Sequence, residues 1–138
     1  MLRRSRSGRR TPASPEDVEV LPGRREVLDR YRADGWRLLG LSWQPELSDG
    51  SMSAEVVAAC FARTHELLGT DLDPLYCPHP GGPPVCWCRK PLPGLGVVFV
   101  QRHRLDAARC VYVGDGSDRA FARRLGFHYR KADELFGA

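Results

Sequence analysis

Apolar residues along the chain alternate between helical spacing and short continuous runs, which predicts helices that alternate with strands. The first clear helical pattern consists of Val27, Leu28 and Tyr31 on one face. This helix is expected to begin after Leu21-Pro22-Gly23, because proline and glycine suit a helix start, and to end near Asp34-Gly35.

The segment 36–43 is almost continuously apolar and follows directly after that helix. Such a run is typical of a strand that is buried on both faces of a parallel sheet. A second helix is then expected between Ser53, a good N-cap residue, and Gly69, a good C-terminal stop. Its predicted apolar face consists of Val57, Cys60, Phe61, Thr64 and Leu68.

The segment 74–94 breaks the pattern, because it holds seven of the eleven prolines of the chain and is expected to form no regular element. The pattern then resumes. The predicted elements are a helix through Leu95, Val98, Phe99 and Arg102, a strand at 110–114, a short helix with Phe121 and Leu125 that ends at Gly126, and a strand at 127–130. This alternation predicts an α/β domain with a parallel sheet and helices on both faces.

Charge is distributed unevenly along the 138 residues. Residues 1–10 hold five arginines and no acidic residue, so the formal charge of +4 comes from the N-terminal segment and the rest is nearly neutral. We therefore expect a basic, mobile arm at 1–17 and one domain at 18–138. The basic pI of about 9.0 is weak evidence for nucleic-acid binding, and no apolar run is long enough to cross a membrane.

Three of the five cysteines lie within twelve residues, in the pattern Cys77-x-His79-x₆-Cys86-x-Cys88. Three thiolates and one imidazole form a closed tetrahedral ligand set for Zn²⁺, which is typical of a structural site. Because no secretory signal precedes the domain, we expect a reducing, cytoplasmic compartment, where metal binding is favoured over disulfides. The alternative is that three incidental cysteines lie near a histidine.

Two predicted strands end in polar side chains that suit a ligand site. Ser42 ends the first strand, and Asp115 follows the strand at 110–114. Ligands of parallel α/β sheets bind beyond the carboxyl ends of the strands, and a carboxylate there suits Mg²⁺. The alternative for the second position is a plain strand-to-helix turn with Asp118 as the N-cap.

Arg89 and Lys90 follow directly after the last cysteine of the cluster. A guanidinium and an ammonium group in this place can bind a phosphate, whereas the alternative is a solvated basic pair. The hydroxyl, the two cations and the strand-end carboxylate together favour a phosphate site, because an α/β fold can bring them to one edge of the sheet.

These motifs resemble those of the haloacid dehalogenase (HAD) phosphatase superfamily over residues 15–136. The similarity is greatest to its zinc-loop branch, which contains D-glycero-D-manno-heptose 1,7-bisphosphate 7-phosphatase and histidinol-phosphatase. The most specific segment is Tyr76-Cys77-Pro78-His79-Pro80 with Cys86-Trp87-Cys88-Arg89-Lys90-Pro91, which is similar to the zinc loop and third motif of the family. Leu41-Ser42-Trp43-Gln44 resembles the second motif, and Val113-Gly114-Asp115 resembles the fourth.

The resemblance implies a role for each matching residue. Ser42, Arg89 and Lys90 would stabilise the phosphoryl group, and Trp43 and Gln44 would lie in the substrate-binding turn, where relatives usually have Asn at the Trp43 position. Asp115 would hold a catalytic Mg²⁺, with Asp118 as a second candidate ligand. The zinc would be structural.

One family feature has no counterpart in this sequence. The first motif of the family, Asp-x-Asp-Gly-Thr, follows the central strand and supplies the nucleophile and the acid–base carboxylate. No Asp precedes Asp17 here, and the segment Met1-Leu2-Arg3 resembles only the end of that motif. Either the sequence starts late or the protein is a degenerate homologue. The two apolar strands that would flank the central strand favour the first explanation, because exposed apolar edges promote aggregation.

The sequence therefore predicts a Mg²⁺-dependent, HAD-type phosphomonoesterase for a small phosphorylated sugar, inactive as printed because the nucleophile is absent. One alternative is a non-catalytic, zinc-stabilised domain that binds a phosphorylated ligand or a protein partner. Another is a nucleic-acid 3′-phosphatase, which the balanced charge outside the arm makes the weaker choice. Neither the oligomeric state nor the identity of the sugar follows from the sequence.

Overall fold

The structure of the protein is a computed structural model that describes residues 1–137. The chain divides into two units, Met1–Pro80 and Gly81–Ala138. Each unit contains one pair of parallel strands and the helices that cover it. None of the helices in residues 1–137 is both long enough and apolar enough to span a membrane.

The first unit begins with a β-hairpin rather than with a featureless arm. Strand β1 (Arg3–Ser5) pairs antiparallel with strand β2 (Val18–Val20), and a 3-10 turn at Pro15–Asp17 precedes β2. Residues 1–17 thus contain regular structure in part, whereas the mobility of this segment in solution and the domain boundary at residue 18 stay predictions.

Two helices pack together in the first unit. Helix α1 (Arg24–Ala33) and helix α2 (Ala54–Leu68) confirm the predicted helices. The N-cap Ser53 accepts a hydrogen bond from the backbone of Val56, and Gly69 ends α2 in the left-handed region at a φ of 74°. The buried side chains of this unit include Val18, Val27, Leu28, Val57, Cys60, Leu68 and Leu72.

The parallel pair of the first unit consists of strand β3 (Leu41–Trp43) and strand β4 (Leu75–Cys77). The predicted strand at 36–43 is thus too long. Trp36 is 41% exposed and packs edge-on against Tyr31 of α1, so the start of the apolar run covers a helix end. The expectation of no regular element in 74–94 is wrong for residues 75–77, because pairing with β3 supplies hydrogen bonds that local sequence does not reveal.

The first four elements of the second unit follow the predicted order, and a further helix after the last strand was not predicted. Its elements are helix α3 (Gly94–His103), strand β5 (Val111–Gly114), helix α4 (Arg119–Leu125), strand β6 (His128–Lys131) and helix α5 (Ala132–Phe136). Strands β5 and β6 are parallel, with Gly114 opposite Lys131. The core of this unit includes Leu95, Phe99, Phe121, Ala122 and Ala132.

The predicted α/β class is confirmed. Within the described residues, strand β3 pairs with β4 and strand β5 pairs with β6. Polar residues lie at the carboxyl ends of β3 and β4 in the first unit and at the carboxyl end of β5 in the second.

Candidate active site and zinc centre

Four soft metal ligands form a cluster that begins at Cys77, the last residue of strand β4. The ligand atoms of Cys77, His79, Cys86 and Cys88 all lie within 4.8 Å of one another. Cys77 is buried, and its Sγ lies 3.4 Å from Nδ1 of His79. The structure therefore brings together all four residues that the sequence predicted as zinc ligands.

This donor set fits Zn²⁺. With Zn–S bonds of about 2.3 Å, the ligands of a tetrahedral site lie about 3.8 Å apart, so the cluster closes around an ion with small side-chain movements. Four protein ligands leave no open coordination position for water, which is the arrangement of a structural site. The cofactor prediction of zinc agrees with this geometry.

Hydrogen bonds hold the segments that carry these ligands. The indole Nε1 of Trp43 donates to the backbone carbonyl of His79 at 2.9 Å. Further along, Arg89 donates to the carbonyl of Gly82 at 2.5 Å, and the backbone N–H of Gly94 donates to the carbonyl of Trp87 at 2.8 Å. Arg89 therefore has at least one contact within the loop.

The second unit contains a partly buried ion pair at the end of β5. Lys90 Nζ lies 2.9 Å from Oδ1 of Asp118 and donates to the hydroxyl of Tyr112 at 2.9 Å. The Asp118 side chain is 7% exposed and that of Lys90 is 29% exposed. An ammonium group has three N–H donors, so these two contacts leave one donor for a ligand oxygen.

Electrostatics keep the Lys90 ammonium charged. Burial opposes the charge, but the interactions with Tyr112 and Asp118 outweigh it and raise the pKa of Lys90 above its ordinary value. Burial likewise raises the pKa of Tyr112, which therefore stays a neutral hydroxyl. A fixed cation of this kind suits an anionic ligand.

Asp115 lies in the turn that follows β5. Its Oδ1 accepts hydrogen bonds from the backbone and from the hydroxyl of Ser117, at 2.9 and 2.5 Å, and these bonds lower the pKa of Asp115. Asp118 Oδ2 accepts from the backbone N–H of Asp115 at 3.2 Å, which completes a capping box. Asp115 is exposed and ionised, as a Mg²⁺ ligand must be, whereas Asp118 is buried against Lys90.

The other predicted site residues lie in the first unit. The Ser42 hydroxyl donates to Oε1 of Gln44 at 2.8 Å, and Arg3 donates to the same oxygen at 3.3 Å and to the Thr64 hydroxyl at 2.8 Å. Gln44 is 1% exposed, so its side chain fixes Ser42 and Arg3. Substrate contact by Ser42, Trp43 and Gln44 stays a prediction, as do the phosphoryl contacts of Arg89 and Lys90 and the metal contacts of Asp115 and Asp118.

Sequence reasoning missed two participants. Tyr112 lies in the predicted strand at 110–114, and no local signal shows that its hydroxyl accepts a hydrogen bond from Lys90. Arg3 was assigned to the basic arm, yet its guanidinium packs over the Phe61 ring at 4.7 Å, and burial lowers its pKa. No local signal distinguishes it from the neighbouring arginines.

No family model matches the chain, but comparison with known proteins finds relatives that share one described activity. The D-glycero-beta-D-manno-heptose-1,7-bisphosphate 7-phosphatase of Bordetella bronchiseptica is 31% identical over 106 residues. The match covers 74% of this chain and 59% of the relative, so the chain spans about three fifths of that protein.

Solved structures show the same similarity. The crystal structure of D,D-heptose 1,7-bisphosphate phosphatase from B. bronchiseptica, complexed with magnesium and phosphate, matches with a TM-score of 0.76 and 30% identity. The match covers 85% of this chain and 68% of the chain in that crystal structure. A HAD-like phosphatase from Mesorhizobium loti matches with a TM-score of 0.73 and 26% identity, over 83% of this chain and 60% of that one.

Proposed function

This chain belongs to the HAD superfamily, in the branch of the heptose-bisphosphate phosphatases, and from this premise we propose that it serves a Mg²⁺-dependent phosphomonoesterase reaction on a small phosphorylated sugar. The observation that supports this most directly is the group formed by Lys90, Tyr112 and Asp118 beside Asp115 at the end of β5. A charged ammonium with one remaining donor and an exposed carboxylate can serve a phosphoryl group and a divalent cation, respectively.

Each residue has a defined part in this proposal. Lys90 neutralises charge on a phosphoryl oxygen through its third N–H, while Asp118 and Tyr112 hold the ammonium in place. The family resemblance further supports the proposals that the Ser42 hydroxyl donates to a phosphoryl oxygen and that Arg89 adds positive charge. Asp115 would hold Mg²⁺, and when bound the ion would offset negative charge on the phosphoryl group.

The Asp118 carboxylate at the end of β5 is paired with Lys90 at 2.9 Å. This pairing supports a second candidate function, namely a zinc-stabilised domain that binds a phosphorylated ligand without hydrolysing it. For either function we propose a cytoplasmic location, because clustered thiolates keep a metal best in a reducing compartment.

The binding of inorganic phosphate in the presence of Mg²⁺ tests the site, with isothermal titration calorimetry as the readout. We expect Lys90→Gln to weaken phosphate binding at least tenfold, because the variant loses a charge-assisted hydrogen bond. Lys131→Gln is the matched control, since Lys131 is the other lysine of the chain and is exposed in β6. Equal affinities for the two variants would contradict the phosphate site.

Hydrolysis separates the two candidate functions. The 138-residue chain is expected not to hydrolyse sugar phosphates, whereas a chain preceded by a strand and an Asp-x-Asp segment, which the family resemblance implies, is expected to release phosphate. If both proteins bind phosphate and neither hydrolyses a sugar phosphate, the binding-domain function is correct and the phosphatase function is wrong.

A further inference from the structure

A cavity in the first unit lies at the amino ends of β3 and β4, whereas Gln44 and the zinc cluster lie at their carboxyl ends. Its volume is about 430 Å³, which is within the range of small-molecule sites. The lining comes from the end of α1, from residues 36–39 before β3, and from the segment 70–73 before β4. The cavity is therefore separate from the candidate active site.

Hydrogen bonds join the two segments that line the cavity. The backbone N–H of Gly40 donates to the carbonyl of Leu72 at 2.8 Å, and that of Leu75 donates to the carbonyl of Gly40 at 3.0 Å. A Cβ atom at Gly40 would lie 3.1 Å from Cβ of Leu72, so the glycine permits this close approach. The frame of the cavity is thus formed before any ligand binds.

Two carboxylates come from the segment before β4. Asp71 Oδ1 accepts a hydrogen bond from the backbone N–H of Asp73 at 2.7 Å and lies 3.6 Å from Nδ1 of His65. His65 also holds the next residue, because its Nε2 accepts from the backbone N–H of Leu72 at 3.4 Å. Asp73 has a φ of 41°, in the left-handed region that residues other than glycine seldom occupy, and such conformations concentrate at ligand sites.

Two guanidinium groups come from α1 and from the segment before β3. Arg32 donates to the carbonyl of Gly69 at 3.0 Å and to Oδ1 of Asp29 at 3.2 Å. A guanidinium has five N–H donors, so these contacts fix the Arg32 side chain and leave three donors for a ligand. Arg37 is exposed and adds the second positive charge to the lining.

The rest of the lining is largely apolar. The Trp36 indole is 41% exposed, and its ring packs edge-on against Tyr31 with 5.9 Å between the ring centroids. Leu38 and Leu39 are half-buried and lie in the same lining. An exposed indole held by a second ring, with two leucines beside it, suits an aromatic or large apolar group.

The charges of the lining restrict the class of ligand. Two carboxylates oppose a ligand that carries only negative charge, and two guanidinium groups oppose one that carries only positive charge. A molecule with one group of each sign gains a charge-assisted hydrogen bond from both. The apolar lining adds the requirement for a ring or a branched aliphatic group.

We propose that this cavity binds a free α-amino acid with an aromatic side chain. Arg32 and Arg37 bind its carboxylate group. Asp71 and Asp73 bind its ammonium group, and its ring packs against Trp36. The proposal does not depend on the proposed function, because the cavity shares no residue with the phosphate and metal sites.

Three probes with the same phenyl ring test the cavity by isothermal titration calorimetry on the 138-residue chain. L-Phenylalanine carries both charges, 3-phenylpropionate only the carboxylate, and 2-phenylethylamine only the ammonium. We expect L-phenylalanine to bind at least fivefold more tightly than either analogue. The absence of binding by L-phenylalanine, or an analogue that binds equally well, would overturn the proposal.

Two variants separate the charged groups. Arg37→Gln should weaken L-phenylalanine and 3-phenylpropionate at least fivefold and change 2-phenylethylamine little. Asp71→Asn keeps the oxygen that accepts from Asp73, and it should weaken L-phenylalanine and 2-phenylethylamine while it changes 3-phenylpropionate little. The controls are Arg30→Gln and Glu55→Gln, which change exposed residues of α1 and α2 outside the cavity.

Thermal unfolding checks that each variant is folded. Affinities of the cavity variants equal to those of the controls would contradict the assigned contacts. Saturating inorganic phosphate should leave the affinity for L-phenylalanine unchanged, whereas competition would place the amino acid at the phosphate site and overturn the cavity. The proposed function is tested separately, by the dependence of phosphate binding on Lys90.

Discussion

Gly114 is closely packed against Asp118 and Tyr112, two residues of the candidate site at the end of β5. A Cβ atom at this position would collide with the carboxylate of Asp118 and would lie 2.8 Å from Cε1 of Tyr112. Both side chains contact Lys90. The absence of a side chain at Gly114 is therefore what allows a buried carboxylate, a phenol and an ammonium to meet at the end of β5.

We expect Gly114→Ala to destabilise the protein by about 1–3 kcal/mol, because a methyl group forced into a filled space displaces its neighbours. It should also weaken phosphate binding, because the displaced groups are those that position Lys90. The free energy of unfolding from urea denaturation and the dissociation constant of phosphate are the two measurements.

Gly116→Ala is the control for this substitution, two residues away in the same turn. A Cβ atom there has no neighbour within 4 Å, so this variant should match the unmodified chain in stability and in phosphate affinity. If both alanine variants behave alike, close packing at Gly114 does not hold the Lys90 group together.

The loop of the β1–β2 hairpin is held by hydrogen bonds to one carboxylate, that of Asp17, which lies directly before β2. Asp17 accepts hydrogen bonds from the hydroxyl groups of Ser5 and Ser7 at 2.8 and 2.9 Å, in addition to those from the backbone of Ser7 and Ala13. These bonds, with that from the backbone of Ala13 contributing most, hold the pKa of Asp17 well below its usual range. Asp17 thereby holds the arginine-rich loop between β1 and β2 through hydrogen bonds.

The low pKa of Asp17 makes its contribution to stability depend on pH. A carboxylate with a lower pKa in the folded than in the unfolded state stabilises the fold above its unfolded value of about 4, and this is lost as the pH falls toward the folded value. We expect Asp17→Asn to lower the melting temperature at pH 7 and to change it progressively less between pH 4 and pH 2.

The exposed Asp133 of α5 provides the comparison, since its side chain makes none of these contacts. The melting temperature of Asp133→Asn should follow that of the unmodified chain across the same pH range. A difference between Asp17→Asn and the unmodified chain that stays constant down to pH 2 would rule out the proposed linkage.

The elements differ in how well the sequence predicts them. Helices α1 and α2 follow from local signals, because Ser53 and Gly69 specify the ends of α2 and the apolar face has helical spacing. Strand β4 does not, because it is three residues long, begins directly after Pro74 and exists only through its pairing with β3. The start of the apolar run at Trp36 also fails as a strand signal, since packing against Tyr31 places that indole on α1.

For the whole molecule, the loop at 77–88 has little apolar surface to bury, because Val85 and Trp87 are 71% and 75% exposed. Metal bonds can provide the stability that this loop does not obtain from a core. We expect one zinc per purified chain, and removal of the metal by a chelator should lower the free energy of unfolding by at least about 2 kcal/mol, or roughly 8 °C in Tm.

The substitutions Cys86→Ser and Cys88→Ser should reproduce the effect of the chelator and reduce the zinc content. Cys110→Ser is the control, because Cys110 lies before β5 and its Sγ contacts the carbonyl of Asp106 at 3.2 Å, outside the cluster. A folded chain that contains no zinc after expression in zinc-supplemented medium would contradict the zinc centre.

The sequence by itself determined the α/β class, the four candidate zinc ligands and the strand-end position of Asp115, because helical spacing, ligand spacing and turn residues are local properties of a chain. Only the tertiary structure decided which side chains meet. It paired Lys90 with Tyr112 and Asp118, buried Gln44 and partly buried Arg3, and left Glu46 Oε2 without a hydrogen-bond partner. Such contacts join residues up to 61 positions apart, and their geometry depends on packing that no single segment encodes.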